Sequence, residues 1–586
     1  MARSFNIRID KFLGLHQCEA GESRLRSGES PRMKNLTVTP SYTLLQRDGW
    51  ERVAETSGEG RAIFTGAIKG KDRVIWVVSD KVYSLDNGEI SVIGELESSE
   101  GKVSIFHFAS KLYFLDGTKI KVWDGDSFGD IEPYVPLIAI SCDYSGAGTS
   151  FEDVNLLTGK KRQSFTTDGE NKWYQLAETE LDSVDLVVLD GKVMSSSKYS
   201  VNLTKGLVEF NSVPSSAGVN NLEITFTKGS AEGAGNIHRM THALSYGGDN
   251  DTRVFLWGDA EYPSIIRYSG VYGGISGMEY FPELNFNRIG DGGEITSALR
   301  HYDKLVLFTE SEAFQCWGET KTDINGMEYT VFPIKTVSSQ VGCASKDFAK
   351  LIDNKPITLT HSGLYLWSSS SIRDERNAQE IGERIRVGLK SFDTERVSSF
   401  DRSATSELYI WQGERVYVYN YALDLFYYYE GFDATAFSED REGLMWFVRA
   451  DGALCRITDE KLDGGSAIEF CWDSGYEEIC GLDTKNVHRL EFELYPISTT
   501  SFSFVWVSEY MTSKDETLEI KYKVFDFSNI WFDSFIFNTA VTPVRLHKRI
   551  KTKRTKGFKI MLKNDGDRGD FHLLSLSVIG RVSDTQ

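Results

Sequence analysis

Residues 73–89 read RVIWVVSDKVYSLDNGE, and residues 103–125 read VSIFHFASKLYFLDGTKIKVWDG. Each stretch is a pair of short runs rich in β-branched and aromatic residues, broken by Ser-Asp, Asn-Gly or Asp-Gly. Such dipeptides suit tight turns because their residues tolerate positive φ, so each stretch predicts a β-hairpin. The same text returns as RVFLWGD from Arg253, KLVLFTESEAFQCW from Lys304 and PITLTHSGLYLW from Pro356. It returns again as ELYIWQGERVYVYNY from Glu407 and GLMWFVRADGALCRI from Gly443. Counting from Val74, Leu112, Val254, Leu305, Ile357, Leu408 and Leu444, successive spacings are 38, 142, 51, 52, 51 and 36 residues. Five of the six lie near the ~40–50-residue period of propeller blades. A four-stranded blade buries both faces only by packing against its neighbours. The expectation is an all-β chain built on a β-propeller of six or seven blades. No WD or kelch signature accompanies the rhythm, so a stack of β-sandwiches with the same spacing is the alternative.

The long gap holds WYQLAE, VDLVVLDGKVM, YSVNLTKGLVEF and NNLEITFTK, with hairpin turns at Asp190-Gly191 and Lys205-Gly206. About 80 residues of such strands suit an immunoglobulin-like sandwich over 146–230, inserted in a propeller loop. Propeller segments are therefore expected over 51–145 and 231–462. Beyond about Asp463, the runs HRLEFELYPI, SFSFVWVSEY, LEIKYKVFDF, GFKIMLKND and FHLLSLSVIGRV alternate apolar with polar residues. This pattern belongs to strands with one buried face and predicts a C-terminal β-sandwich over 463–586. Residues 1–50, punctuated by Gly14, Gly21 and Gly28, read as an extended arm that straps onto its own domain or a neighbouring subunit. The one helix of note is NAQEIGERIRVGL, where Ile381, Ile385 and Leu389 recur at four-residue spacing.

Composition narrows the function classes. The chain has 586 residues and a formal charge of −20, which argues against a general grip on nucleic acid. No apolar run approaches the ~18–20 residues of a membrane span. The opening MARSFNIRID lacks the apolar core of a secretory signal, so synthesis in a cytoplasm is expected. Seven scattered cysteines make no disulfide framework and no CxxC zinc pair, although Cys471 and Cys480 flank a short turn-rich segment.

A more specific text runs from Ser30 to Val53, SPRMKNLTVTPSYTLLQRDGWERV. Its Pro31, Met33 and Asn35, followed by the Gly49-Trp50 turn, resemble the opening of bacteriophage virion proteins known as stabilisation proteins. Two further stretches fit that family: GMEYFPELNFNRIGDGGEITSALRHYDKLVLFTESEAFQCW from Gly277, and VGCASKDFAKLIDNKPITLTHSGLYLW from Val341. The resemblance implies a tail hub of short-tailed phages. Such a protein forms a ring of six copies below portal and adaptor, contacts tail proteins and helps retain packaged DNA. Pro31, Met33, Asn35, Gly49 and Trp50 are then candidate arm contacts, and the protein would reside in the virion.

Catalytic motifs are sparse. No GxSxG elbow, HExxH, Walker A or GxGxxG-helix unit occurs. SEDREGLMW misses the Asp-box of sialidase propellers by one residue, since Ser438, Asp440, Gly443 and Trp446 are mis-spaced. His238 and His242 stand at helical i, i+4 spacing, which can seat a metal, but no Glu follows His238 as in a zincin. DGDSFGD, GGDNDT and NDGDRGD are Asp-rich turns without EF-hand spacing. The expectation is no catalytic, cofactor or metal site.

One charge anomaly remains, RLHKRIKTKRTKGFK. Arg545, Lys548, Arg549, Lys551, Lys553, Arg554 and Lys556 concentrate cation in an acidic chain. They read either as an electrostatic contact to an acidic neighbour or passing DNA, or as lysines protecting an edge strand. The leading expectation is a non-enzymatic ring protein of the virion connector, without sequence-specific DNA readout and without membrane contact. The alternative is a carbohydrate-binding or glycan-cleaving propeller of a receptor-binding component, and a weaker third is an intracellular scaffold.

Overall fold

The hairpins expected between residues 73 and 125 form around backbone turns that need positive φ. Asn87 and Gly88 take φ of 50° and 87°, and they close a two-residue turn between Asp86 and Glu89. The computed structural model describes residues 4–18, 21–214, 218–229, 231–248, 251–322, 328–368, 378–479, 485–495, 500–509, 511–513, 515–520, 543–564 and 570–582.

Seven units, six of them antiparallel sheets of four strands and one extended to six strands, follow one another among the described residues. Their first strands are Gly60–Ile68, Ser104–Phe108, His242–Gly248, Ser297–His301, Lys350–Ile352, Ser398–Arg402 and Ala434–Glu439. Each first strand lies against the next, and Ala434–Glu439 lies against Gly60–Ile68. The second strands carry the apolar runs seen in the sequence, and they are buried because both faces of each sheet meet a neighbouring unit. Ile75, Val77, Leu112 and Phe114 share one such core. Phe255, Leu305 and Leu307 share another. The architecture is all-β and propeller-like.

The last unit takes its fourth strand from the other end of the chain. Gly49–Ala54 pairs antiparallel with Leu454–Thr458, placing Trp50 opposite Ile457. Residues 4–48 do not extend away either. Ser4–Ile9 pairs with His572–Val582, Met33–Lys34 with Cys471–Asp473, and Leu44–Leu45 with His572–Leu573. Of the two attachments expected for the arm over 1–50, its described residues make the one to their own chain. Phe12, Leu15, Met33, Leu36 and Leu44 are apolar and buried in the largest core, at 0–2% exposure.

That core continues into a C-terminal two-sheet sandwich. One sheet contains Lys485–Leu494, Val544–Thr555 and His572–Val582; the other contains Thr500–Ser508 and Gly557–Lys563. Phe492 meets Phe502 and Phe504 across the gap, each at 5.3 Å. A second sandwich interrupts the units after Phe128–Asp130. Its first strand is Leu137–Cys142, which pairs with Lys160–Phe165, so the insert begins earlier than residue 146. Phe165 and Tyr174, from its two sheets, meet at 5.5 Å within a shared core.

The expected helix is only two short turns, Gly382–Ile385 and Arg386–Leu389, preceded by the strand Ala378–Glu380. Glycines at 382 and 388 weaken helix propagation by ~1 kcal/mol each. Ile385 and Leu389 are buried nonetheless, while Ile381 is half-buried.

Candidate functional site

Val544–Thr555 is a twelve-residue strand whose even and odd positions have opposite fates. Ile550 and Thr552 point into the sandwich, whereas Arg545, Arg549, Lys551 and Lys553 are exposed; Arg554, at positive φ, then breaks the alternation, so that Thr555 is buried as well. The alternation follows from the two-residue period of a strand. Among the described residues it pairs only with Lys485–Leu494, which leaves it at the end of its sheet. Register puts Arg549 directly opposite Arg489, a like-charge pair that costs stability and is tolerated because both side chains reach solvent.

The run divides into neutralised and unneutralised cations. Arg545 donates to Glu493 at 3.0 Å, and Arg8 reaches the same carboxylate at 3.0 Å. Burial would raise the Glu493 carboxyl, but the Ser575 hydroxyl and the Arg545 guanidinium hold it below its ordinary value. Lys548 reaches Glu516 at 2.5 Å. Arg554 and Lys556 form a tight turn in which Arg554 has φ of 56°. Their backbone amides donate to Asn486 and Glu509. Arg549, Lys551, Lys553, Arg554 and Lys556 have no carboxylate partner among the described residues. With exposed Arg581 on a neighbouring strand, they make a positive face on a chain of charge −20, while Arg489 is neutralised by Glu491 at 2.6 Å.

The other candidate residues meet at the strap. Asn35 accepts from Arg47 Nε at 2.9 Å and from the Glu430 amide at 2.9 Å, and its amide donates to the Glu469 carbonyl at 2.8 Å. Arg47, 3% exposed, forks onto Asp463 at 2.9 and 2.5 Å and packs over the Phe432 ring at 4.5 Å. Burial raises the Asp463 carboxyl, and the Arg47 pairing opposes that rise. Trp50 donates to the Gly431 carbonyl at 3.1 Å and meets Phe447 edge-on at 5.7 Å. Gly49 is a close approach, since a Cβ there would lie 2.0 Å from the Leu462 carbonyl oxygen. Met33 is buried, and Pro31 lines a cavity of about 460 Å³ beside it. Four of the five candidate arm contacts, Met33, Asn35, Gly49 and Trp50, are therefore engaged within their own chain. Arg47 and Asp463 are the residues that sequence reasoning missed. An Arg between Leu45 and Trp50 was the available signal.

Other sequence candidates resolve into local structure. His238 ends a four-residue helix, and His242 begins a strand, so they share no helix face. No group of three or more metal-ligating side chains occurs among the described residues. Asp440 accepts from the amides of Glu442 and Leu444 and from the Trp446 indole at 2.8 Å, which makes the near Asp-box a capped turn. Asp124 likewise accepts from the amides of Asp126 and Ser127, and these backbone bonds pull its carboxyl down to about 2. Cys471 is a free thiol; Cys480, Arg568 and Gly569 lie outside the described residues.

No family model and no curated protein matches the chain. Solved structures similar to it include U3-55K, at 8% identity over 70% of this chain and 98% of that one, with a TM-score of 0.33. The WD40 β-propeller domain of Doa1 matches at 10% identity, covering 71% and 98%, with a TM-score of 0.24. The exo-β-1,3-galactanase of Phanerochaete chrysosporium with galactose matches at 8% identity, covering 81% and 95%, with a TM-score of 0.17. Scores this low carry no argument about what the chain does.

Proposed function

We propose that the chain is a non-enzymatic structural protein of a bacteriophage virion. In this reading it is a seven-bladed propeller with an immunoglobulin-like insert and a C-terminal sandwich, assembling as a ring below portal and adaptor. The observation that carries the assembly step is the positive face of Arg549, Lys551 and Lys553 on a molecule of charge −20. Identical chains with one cationic face and a predominantly acidic remainder attract head to tail, and a heterologous contact that closes gives a ring. The virion assignment rests on the resemblance of residues 30–53, 277–317 and 341–367 to the stabilisation proteins. No helix among the described residues is long and apolar enough to cross a membrane.

The assembly step is tested with the triple variant Arg549→Gln, Lys551→Gln, Lys553→Gln in native mass spectrometry and sedimentation. The ring should weaken with rising salt in the parent and at all salt concentrations in the variant. Equal assembly of both proteins at every salt concentration rejects the electrostatic contact. Quantitative mass spectrometry of purified particles, normalised to portal, tests the virion assignment separately.

A glycan-binding reading has one feature in its favour. An open cleft of about 940 Å³ runs between the second unit and the insert, lined in part by Tyr113, Tyr134, Tyr272 and Glu279. Arg162 lies over one of these rings, Tyr134, and Tyr272 stacks on that same ring at 4.3 Å. A host-polysaccharide array with purified protein separates this reading from the structural one.

A further inference from the structure

A cavity of about 450 Å³ opens where the first strands of the units gather, and six of the seven units contribute to its wall. Its charged lining is unbalanced. Asp347 is the one carboxylate, facing Arg61, Lys102, His242, Lys346 and Lys350. Two of these cations are occupied elsewhere. Arg61 is spent on main-chain carbonyls, among them those of Ser79 and Gly101, and Lys346 reaches Glu294 at 2.6 Å. Asp347 is shared by Lys102, which also hydrogen-bonds Ser398, and by His242 at 3.4 Å. Lys350 is left without a hydrogen-bond or ion-pair partner among the described residues. It projects from the fifth first strand into a half-buried position.

Burial, with the Lys102 ammonium nearby, holds Lys350 below the ordinary lysine value despite Asp347 and Asp401. Burial would raise the Asp347 carboxyl, but His242 and Lys102 keep it well below the carboxylate range, so it is already fully charged and shared. A second anion is what this site lacks. The same lining holds Phe400, Trp411 and Phe437, the last two meeting edge-on at 4.8 Å. A free inorganic ion would leave that aromatic wall unused.

We propose that this cavity binds an oxyanion carried on an apolar group, either a phosphate monoester or a carboxylate. Lys350 is its ion-pair partner, Lys102 and the Ser398 hydroxyl flank it, and the aromatic wall receives its carbon portion. The site is independent of the virion reading, because it requires neither ring assembly nor a phage partner.

The full-length protein is titrated by calorimetry with phenyl phosphate, benzoate and inorganic phosphate at low salt. At least one aromatic anion should bind saturably and about fivefold or more tighter than inorganic phosphate, reflecting burial of the ring. Whichever aromatic anion binds tighter identifies the head group. Lys350→Gln should weaken that binding about tenfold or more, while Lys350→Arg, which keeps the charge and guards against misfolding of the first variant, should retain most of it. Equal affinity in the parent and Lys350→Gln, or no saturable binding of either aromatic anion up to about 20 mM, overturns the proposal.

Discussion

Arg47 is the side chain on which the strap depends. It touches Asn35, Asp463, the Glu430 carbonyl and the Phe432 ring, and so ties residues 35–48 to segments nearly 400 positions away. Removing one partner of a buried pair leaves the other uncompensated, so Arg47→Ala should destabilise by about 3–5 kcal/mol. Urea unfolding measures this, and Arg47→Lys should recover only part because the fork is lost. His572 gives the strap a pH dependence. Burial, helped by Lys461, lowers its pKa, and Thr43 sits 2.8 Å from its Nε2. A histidine whose folded pKa lies below the unfolded ~6.5 contributes stability above that pH. The contribution is lost as pH falls through the folded value. The melting temperature should therefore drop from about pH 6.5 downward, and His572→Asn should flatten that drop. Calorimetry between pH 7.5 and 5 decides it.

At the scale of elements, local chemistry was readable and distant pairing was not. Asn87-Gly88 announces its turn because no other conformation suits that dipeptide at a hairpin tip. The apolar runs at Val254, Leu305 and Leu408 mark second strands because both faces of those sheets are covered. Nothing in Gly49–Ala54 names its partner, since Leu454–Thr458 lies 400 residues on, and strand pairing leaves no local trace. The i, i+4 reading of Ile381, Ile385 and Leu389 failed for a different reason: apolar spacing says which residues are buried, while glycines 382 and 388 decide whether the backbone stays helical. The basic run was readable as a strand, but not its division between paired Arg545 or Lys548 and unpaired Lys551 or Lys553, which depends on acids contributed by other strands. An extended arm and a strap differ in one measurable way. Deleting residues 1–54 should expose the edge of Leu454–Thr458 and the face over Trp472, giving dye binding and aggregation rather than a stable shortened monomer.

For the whole molecule, the insert is fixed rather than dangling. Asn155 is 3% exposed, donates to the carbonyls of Tyr134 and Glu279 at 2.8 Å, and accepts from the amides of Phe281 and Leu157. Leu157 then joins the core of the second and third units. Asn155→Ala strands several buried backbone groups, each costing about 1–3 kcal/mol. It should raise hydrogen exchange at 155–157 and 279–282 and broaden the solution scattering envelope, with little change in the C-terminal sandwich. The seam at Gly49–Ala54 bears on how the protein is made. Glu51 and Arg456 meet at 2.5 Å although 405 residues separate them, so the earlier strand stays unpartnered until about 400 further residues have been translated. Closing so long a loop costs only modestly more than closing a short one, so the burden is one of waiting time. Until the later strands emerge, Phe12, Leu15, Met33 and Leu36 have no core to enter. Fusions at the two termini, held side by side where Ser4 faces Arg581, should report by energy transfer the moment at which synthesis becomes folding.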